Sequence, residues 1–274
     1  CSWSNIPDDD LAADDTLPYL IGQFVWTGFD YLGEPSPYDT DAWPNHSSMY
    51  GIIDLASLPK DRYWLYRSVW NRAEPTLHIL PHWTWHGREG ETTPVFVYTS
   101  YPSAELFLNG RSLGVRRKRT EGNVKERYRL MWDDVRYEPG ELRVVAFDDK
   151  GCVAAQKSIR TAGKPYQLEA VADRSVIAAD GSDLAYIEVR VVDRNGTVVP
   201  TDGREVSFKV TGAGSFAAAA NGDPTSLDAF HLPRMHLFGG ELTAIVRAGE
   251  QSGEIVFEAS AKGVQKATIR IKTK

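Results

Sequence analysis

The sequence is short of cross-links, of positive charge in excess, and of long apolar runs, and each shortage removes a class of protein. Its two cysteines, Cys1 and Cys152, stand far apart, so no disulfide framework exists and stability must come from packing. A formal net charge of -6 supplies no basic face, which argues against nucleic acid as a partner. The longest apolar stretch, Tyr19 to Phe29, is interrupted by Gly22, Gln23, Thr27 and Gly28 and is too short to cross a bilayer, so no membrane span is expected. The opening CSWSNIPDDD has neither a basic start nor an apolar run, so it does not read as a signal peptide, and the chain reads as a portion of something longer.

What is present is an ordinary globular composition, 42% hydrophobic and 25% charged over 274 residues, enough for two or three cores. The texture changes twice along the chain. Residues 1–75 hold an acidic loop (Asp8, Asp9, Asp10, Asp14, Asp15), an apolar stretch Tyr19–Trp26 that reads as a buried strand, an aromatic loop, and PKDRYWLYRSVW, which reads as a helix with Leu65 and Val69 on one face. Residues 76–163 read as strands and turns. TPVFVYTS and SAELFLNGRSLG alternate in polarity, and Asn109-Gly110 is the dipeptide of a two-residue hairpin, in which both positions need positive φ. In GELRVVAFDDKG, Leu142, Val144 and Ala146 share one face. Residues 164–274 repeat the pattern with Ala185, Ile187, Val189 and Val191, then Val206, Phe208 and Val210, then Ile255, Phe257 and Ala259, and finally Ala267, Ile269 and Ile271 pointing inward. The expected fold is mainly β, with two immunoglobulin-like β-sandwich domains over 76–163 and 164–274.

Several patterns carry less than they promise. His78, His82 and His86 are spaced by four, which on a helix would align three metal ligands, but Pro81, Trp83 and Trp85 argue against a helix there, and no metal is expected. The aspartates near the start read as a solvated loop before a calcium site. Asn45-His46-Ser47 and Asn195-Gly196-Thr197 fit a glycosylation pattern that short sequences often meet by chance, and Asn221-Gly222-Asp223-Pro224 is turn chemistry first.

The stretch FVWTGFDYLGEPSPY, Phe24 to Tyr38, crowds aromatics, glycines and the carboxylates Asp30 and Glu34 onto one loop. Together with SSMYGIIDLASLPKDRYWLYRSVW it resembles the end of the catalytic barrel of glycoside hydrolase family 2, in its β-galactosidase branch. ELFLNGRSLG with YEPGELRVVAF resembles a domain that follows that barrel, and ADGSDLAYIEVRVVDRNG with NGDP and FGG resembles the immunoglobulin-like domain after it. The resemblance implies that residues 1–75 hold the last strand-loop-helix unit of a (β/α)8 barrel, with Tyr19–Trp26 as its eighth strand. Active sites of such barrels lie on the loops after the strands. Trp26 then matches a tryptophan of the terminal-sugar subsite, and Asp30 and Glu34 join it as candidate substrate-binding residues. A pyranose presents a face of C–H bonds that packs on an indole ring.

Sugar hydrolysis needs two carboxylates with separated pKa values. Asp30 and Glu34 are not that pair under this resemblance, because both catalytic glutamates of the family lie on earlier barrel strands, upstream of this chain. No catalytic residue and no cofactor is therefore expected within it, and the chain alone should be inactive. Where the glucuronidase branch carries Asn-x-Lys, Ser48-Met49-Tyr50 stands here, with no cation to meet a uronate, so a neutral sugar is favoured, and the branch resemblance alone implies that it is a terminal β-galactoside. A homo-oligomer and an extracytoplasmic bacterial location are further expectations. The rival is a non-catalytic carbohydrate-binding or adhesive module displaying a row of aromatics, with Trp83, Trp85, Tyr98, Tyr101 and Phe107 as its members.

Overall fold

The structure, a computed structural model, describes residues 5–34 and 44–274; Cys1 and the end of the aromatic loop, from Pro35 through Tyr38, lie outside the described residues. It is mainly β and divides into two units, one of residues 1–28 and 59–161, the other of residues 29–58 and 162–274.

The first unit opens with α1 (Pro7–Thr16), where a solvated acidic loop was expected. Pro7 is preorganised for a first helical turn, and Asp8, Asp9 and Asp10 sit where carboxylates complement the positive end of the helix dipole. Asp8 is fully buried, and its two oxygens accept from the Arg129 guanidinium. The Asp15 carboxylate accepts from the Tyr128 hydroxyl at 2.6 Å. Acidic residues that read as solvent-facing are thus tertiary anchors.

The segment Tyr19–Trp26 forms no strand, contrary to expectation. A strand exists only through a ladder of hydrogen bonds to a neighbour, and no ladder partner flanks this segment among the described residues. Most of its apolar side chains are exposed, Ile21 and Phe24 fully so, while Val25 is half-buried. α2 (Asp61–Trp70) forms as expected, with Leu65 buried and Val69 half-buried.

The strands β1 (Leu77–Leu80), β2 (Val95–Thr99), β3 (Ser103–Leu108), β4 (Arg111–Arg117), β5 (Arg129–Trp132), β6 (Glu141–Phe147) and β7 (Val153–Arg160) make two sheets, with α3 (Val124–Tyr128) between β4 and β5. The sheet order is β1-β2-β5 in one and β4-β3-β6-β7 in the other. Val95, Val97, Leu130 and Trp132 of the first meet Leu106, Leu108, Leu142 and Val144 of the second in one core. Each such aliphatic side chain contributes about 1.5–3 kcal/mol. Asn109 and Gly110 have φ of 50° and 81° and close the β3–β4 hairpin. β2 is covered on both faces: its outward Tyr98 joins Leu11, Leu65 and Tyr128 in a second cluster beneath the helices. His78 lies on β1, stacked on Trp64 at 5.0 Å and hydrogen-bonded to Asp61 at 2.8 Å.

The second unit contains β8 (Gln167–Ala172), β9 (Val176–Ile177), β10 (Leu184–Val192), β11 (Glu205–Gly212), β12 (Gly214–Ala220), β13 (Arg234–His236), β14 (Glu241–Ala248), β15 (Gly253–Ser260) and β16 (Ala267–Thr273). Sheets ordered β12-β14-β10-β8 and β13-β11-β15-β16-β9 face each other, antiparallel except for the β16–β9 pair. The alternation in the sequence is realised: Ala185, Ile187, Val189 and Val191 are fully buried against Val206, Ile255, Phe257 and Ile271. Residues 29–58 belong to this same unit.

Candidate functional site

The loop that drew attention in the sequence is built around Asp30. Its backbone N–H donates to the Ile53 carbonyl at 2.9 Å, and its Oδ1 accepts from the Gly51 N–H at 2.8 Å. A Cβ on residue 51 would lie 2.2 Å from the Asp30 nitrogen, so the close approach of the two segments demands glycine. Asp30 is buried, 7% exposed. The next residue extends the same seam: the Tyr31 carbonyl accepts from the Ser48 N–H at 2.8 Å, the Tyr31 N–H donates to Ser48 Oγ at 3.1 Å, and the Gly33 N–H donates to the His46 carbonyl at 2.9 Å. Asp30 therefore orders the loop, with its carboxylate turned to the backbone of its neighbour.

Glu34 is exposed, with a left-handed φ of 42°, and its carboxylate accepts from the Tyr31 hydroxyl. Asp30 and Glu34 thus share one hydrogen-bonded loop in the second unit. Trp26 belongs to the first unit, the residue 72% exposed and the Trp26–Thr27 peptide cis. Ser48, where the sequence lacks a cation, is fully buried, and Met49 beside it is exposed.

The loop continues into a turn that sequence inspection did not single out. Asp54 Oδ1 accepts from the N–H groups of Ala56 and Leu58 at 2.8 and 2.9 Å, closing a tight turn in which Ser57 adopts a φ of 65°. Near it the Glu241 carboxyl, at the start of β14, is pushed up to about 7 by burial, with Glu188 and Asp54 adding to the rise and Arg190 opposing it. The available signal was the outward register of β10 and β14, where Tyr186, Glu188 and Arg190 alternate with core residues. A shallow groove of about 470 Å³ borders the loop, lined by Leu32, His46, Leu227, Phe230 and His231 among others.

The rival aromatic row does not form. Trp83 and Tyr98 are buried, Trp85 and Tyr101 are half-buried, and Phe107 lies beneath the Arg143 guanidinium at 4.4 Å. Trp83 packs edge-on to Tyr137 and donates its N–H to the Glu138 carbonyl at 3.0 Å, as a core residue does.

Residues 168–270 match the glycoside hydrolase family 2 C-terminal domain 5, and residues 90–155 match a domain of unknown function. The chain is 37% identical to the beta-galactosidase BoGH2A of Bacteroides ovatus over 98% of its own length and 30% of that protein. It is 27% identical to a beta-glucuronidase of Formosa agariphila over 81% of its own length and 22% of that protein. Among solved structures, a beta-glycosidase from Bacteroides vulgatus superposes with a TM-score of 0.87 at 30% identity, covering 97% of this chain and 32% of that one. The chain thus spans about a third or less of the length of these relatives. With the motifs around Trp26 and Asp30 and a match across nearly its whole length, the chain belongs to glycoside hydrolase family 2.

Proposed function

We propose that this chain is the C-terminal part of a retaining exo-glycosidase that removes terminal β-galactosides. In this reading residues 1–75 close a (β/α)8 barrel and the two sandwiches that follow are immunoglobulin-like. The observation that carries it is the bare apolar segment ending in Trp26. Ile21, Phe24 and Trp26 are left in water in a mostly apolar run, the composition of a buried parallel strand, and a cluster of large exposed apolar groups marks a surface that another part of a protein covers. Supplied with neighbouring strands, that run places the Trp26 indole at a strand end, where it offers a stacking face to a pyranose.

The catalytic pair is assigned to polypeptide upstream of Cys1. A retaining mechanism holds its nucleophile and acid/base about 5–5.5 Å apart. Asp30 is committed to the Gly51 amide, and Glu34 lies in an exposed turn bonded to Tyr31, so neither is prepared for the role. A neutral sugar is favoured because the Ser48-Met49-Tyr50 stretch holds no cation for a uronate. Similarity to a named beta-galactosidase supports galactose, while similarity to a named beta-glucuronidase makes the uronate the competing substrate to test. An extracytoplasmic bacterial setting accompanies this proposal. The test compares the isolated 274 residues with the longer protein on a nitrophenyl β-galactoside and a nitrophenyl β-glucuronide. Turnover of the galactoside by the longer protein alone is expected; turnover by the isolated chain that vanishes in Glu34→Gln would overturn the assignment.

A further inference from the structure

The outward face of the sheet β12-β14-β10-β8 should be wet, yet Thr243 on that face is only 7% exposed. Its hydroxyl donates to the Ala56 carbonyl at 2.6 Å, inside the turn that Asp54 closes. A second contact lies at Gly222, where a Cβ would sit 2.1 Å from Asp54 Oδ2, so the turn is pressed against backbone that only glycine provides. Asn221 fixes that backbone: its side-chain amide donates to the His236 carbonyl at 2.9 Å and its oxygen accepts from the Asp223 N–H at 3.1 Å. A third contact runs from the His46 N–H to the Pro224 carbonyl at 3.1 Å.

These contacts bracket the candidate sugar loop from both sides. Asp54 follows directly on Ile53, whose carbonyl accepts from the Asp30 N–H, Ala56 lies two residues beyond Asp54, and the His46 carbonyl accepts from the Gly33 N–H. Between sandwich and loop, hydrogen bonds and close packing run through the Ile53–Ala56 turn on one side and through His46 alone on the other. We propose that Thr243 and the Asn221–Gly222 turn are positioning residues, which act through the Asp54 turn to set Asp30 and the loop that carries Glu34 for substrate. The C-terminal sandwich is then a working part of the binding site, and this inference rests on the glycosidase reading above.

The charges packed around the contact point the same way. Arg190 on β10 faces Glu241 across the ladder and also bonds Glu188 at 3.3 Å and Glu169 of β8 at 3.2 Å. Asp54 approaches from the turn. With Glu241 neutral, Glu188 and Glu169 share Arg190; once Glu241 ionises, three carboxylates compete for that guanidinium beside Asp54. Repulsion at that point acts directly on the turn.

The experiment uses the longer protein and the variants Thr243→Val, Thr243→Ser and Gly222→Ala, each with two readouts. In Thr243→Val and Gly222→Ala the KM for a nitrophenyl β-galactoside is expected to rise roughly tenfold while kcat changes much less, and Thr243→Ser is expected to restore wild-type KM. Amide exchange at Asp30 and Gly51 is expected to accelerate by a similar factor in the first two variants and not in the serine variant. Unchanged KM together with unchanged exchange overturns the proposal, as does a uniform loss of kcat matching a loss of folded protein. If the wild-type protein turns over no β-galactoside, the glycosidase reading fails, and exchange at Asp30 and Gly51 still decides for or against the clamp. Should Thr243→Val not fold, Glu241→Gln supplies the answer: wild-type KM is expected to rise as pH increases through about 7 and Glu241 competes for Arg190 beside the turn, Glu241→Gln is expected to abolish that rise, and a profile identical to wild type overturns the inference.

Discussion

Replacing Glu241 with glutamine should flatten the pH dependence of the second unit's stability. The folded carboxyl keeps its proton to about pH 7, while an ordinary glutamate releases it near 4.5. Between those values the folded state binds more protons than the unfolded state, so stability is greatest below the lower value and falls as pH rises to the upper one. At about 1.4 kcal/mol per unit the whole fall is about 3 kcal/mol, a large fraction of what holds a domain together. Burial is the leading cause, and Glu188 and Asp54 reinforce it. Glutamine fills the same volume and carries no proton to lose. Urea unfolding at about pH 4.5 and about pH 8, for wild type and Glu241→Gln, isolates the effect as a difference of differences. Wild type should lose about 3 kcal/mol more than the variant across that interval; equal losses would refute the assignment of a neutral, buried carboxyl.

Asp8→Asn leaves the Arg129 guanidinium without its charged partner in a buried setting and should destabilise the first unit by about 3–5 kcal/mol, read by thermal melting; a change below about 1 kcal/mol would contradict the anchoring of α1. Gly110→Ala forces a side chain onto a φ of 81° in the β3–β4 turn and should cost about 1 kcal/mol, with no change in the fold by circular dichroism. Lys118 donates to the Thr99 carbonyl at 2.5 Å, and burial lowers its amine to about 8, so the unfolded chain binds the extra proton above that value. Stability should therefore rise with pH from about 8 toward the ordinary lysine range, and Lys118→Met should remove that rise.

The legible parts of the fold were those whose determinants are local. β10 alternates over eight residues, Leu184 to Val191, because one face is core, and Asn109-Gly110 turns because both residues tolerate positive φ. α1 was illegible because its decisive contact, Asp8 with Arg129, spans 121 positions of sequence. An acidic stretch looks solvated until its arginine is found. Tyr19–Trp26 failed for the converse reason: its pattern is that of a strand, but a strand's ladder partners must come from elsewhere, and none lies beside it among the described residues. At the candidate site, Asp30 and Glu34 stood out by residue type and crowding. Their supports, Gly51, Asp54, Gly222 and Thr243, are small or ordinary residues whose importance lies in close approach, and no composition or periodicity reports that. The buried rather than displayed Trp83 and Tyr98 likewise needed the β2 register and the helices covering it.

The central claim is that this chain shapes the sugar site while the bond-breaking carboxylates lie outside it. Trapping decides it directly: the longer protein is incubated with a 2-deoxy-2-fluoro-β-galactoside bearing a good leaving group, which forms a slowly hydrolysed glycosyl-enzyme, and the labelled peptide is identified by mass spectrometry. The account predicts one label on a glutamate N-terminal to Cys1. A label on Glu34, or on any carboxylate within these 274 residues, would contradict it.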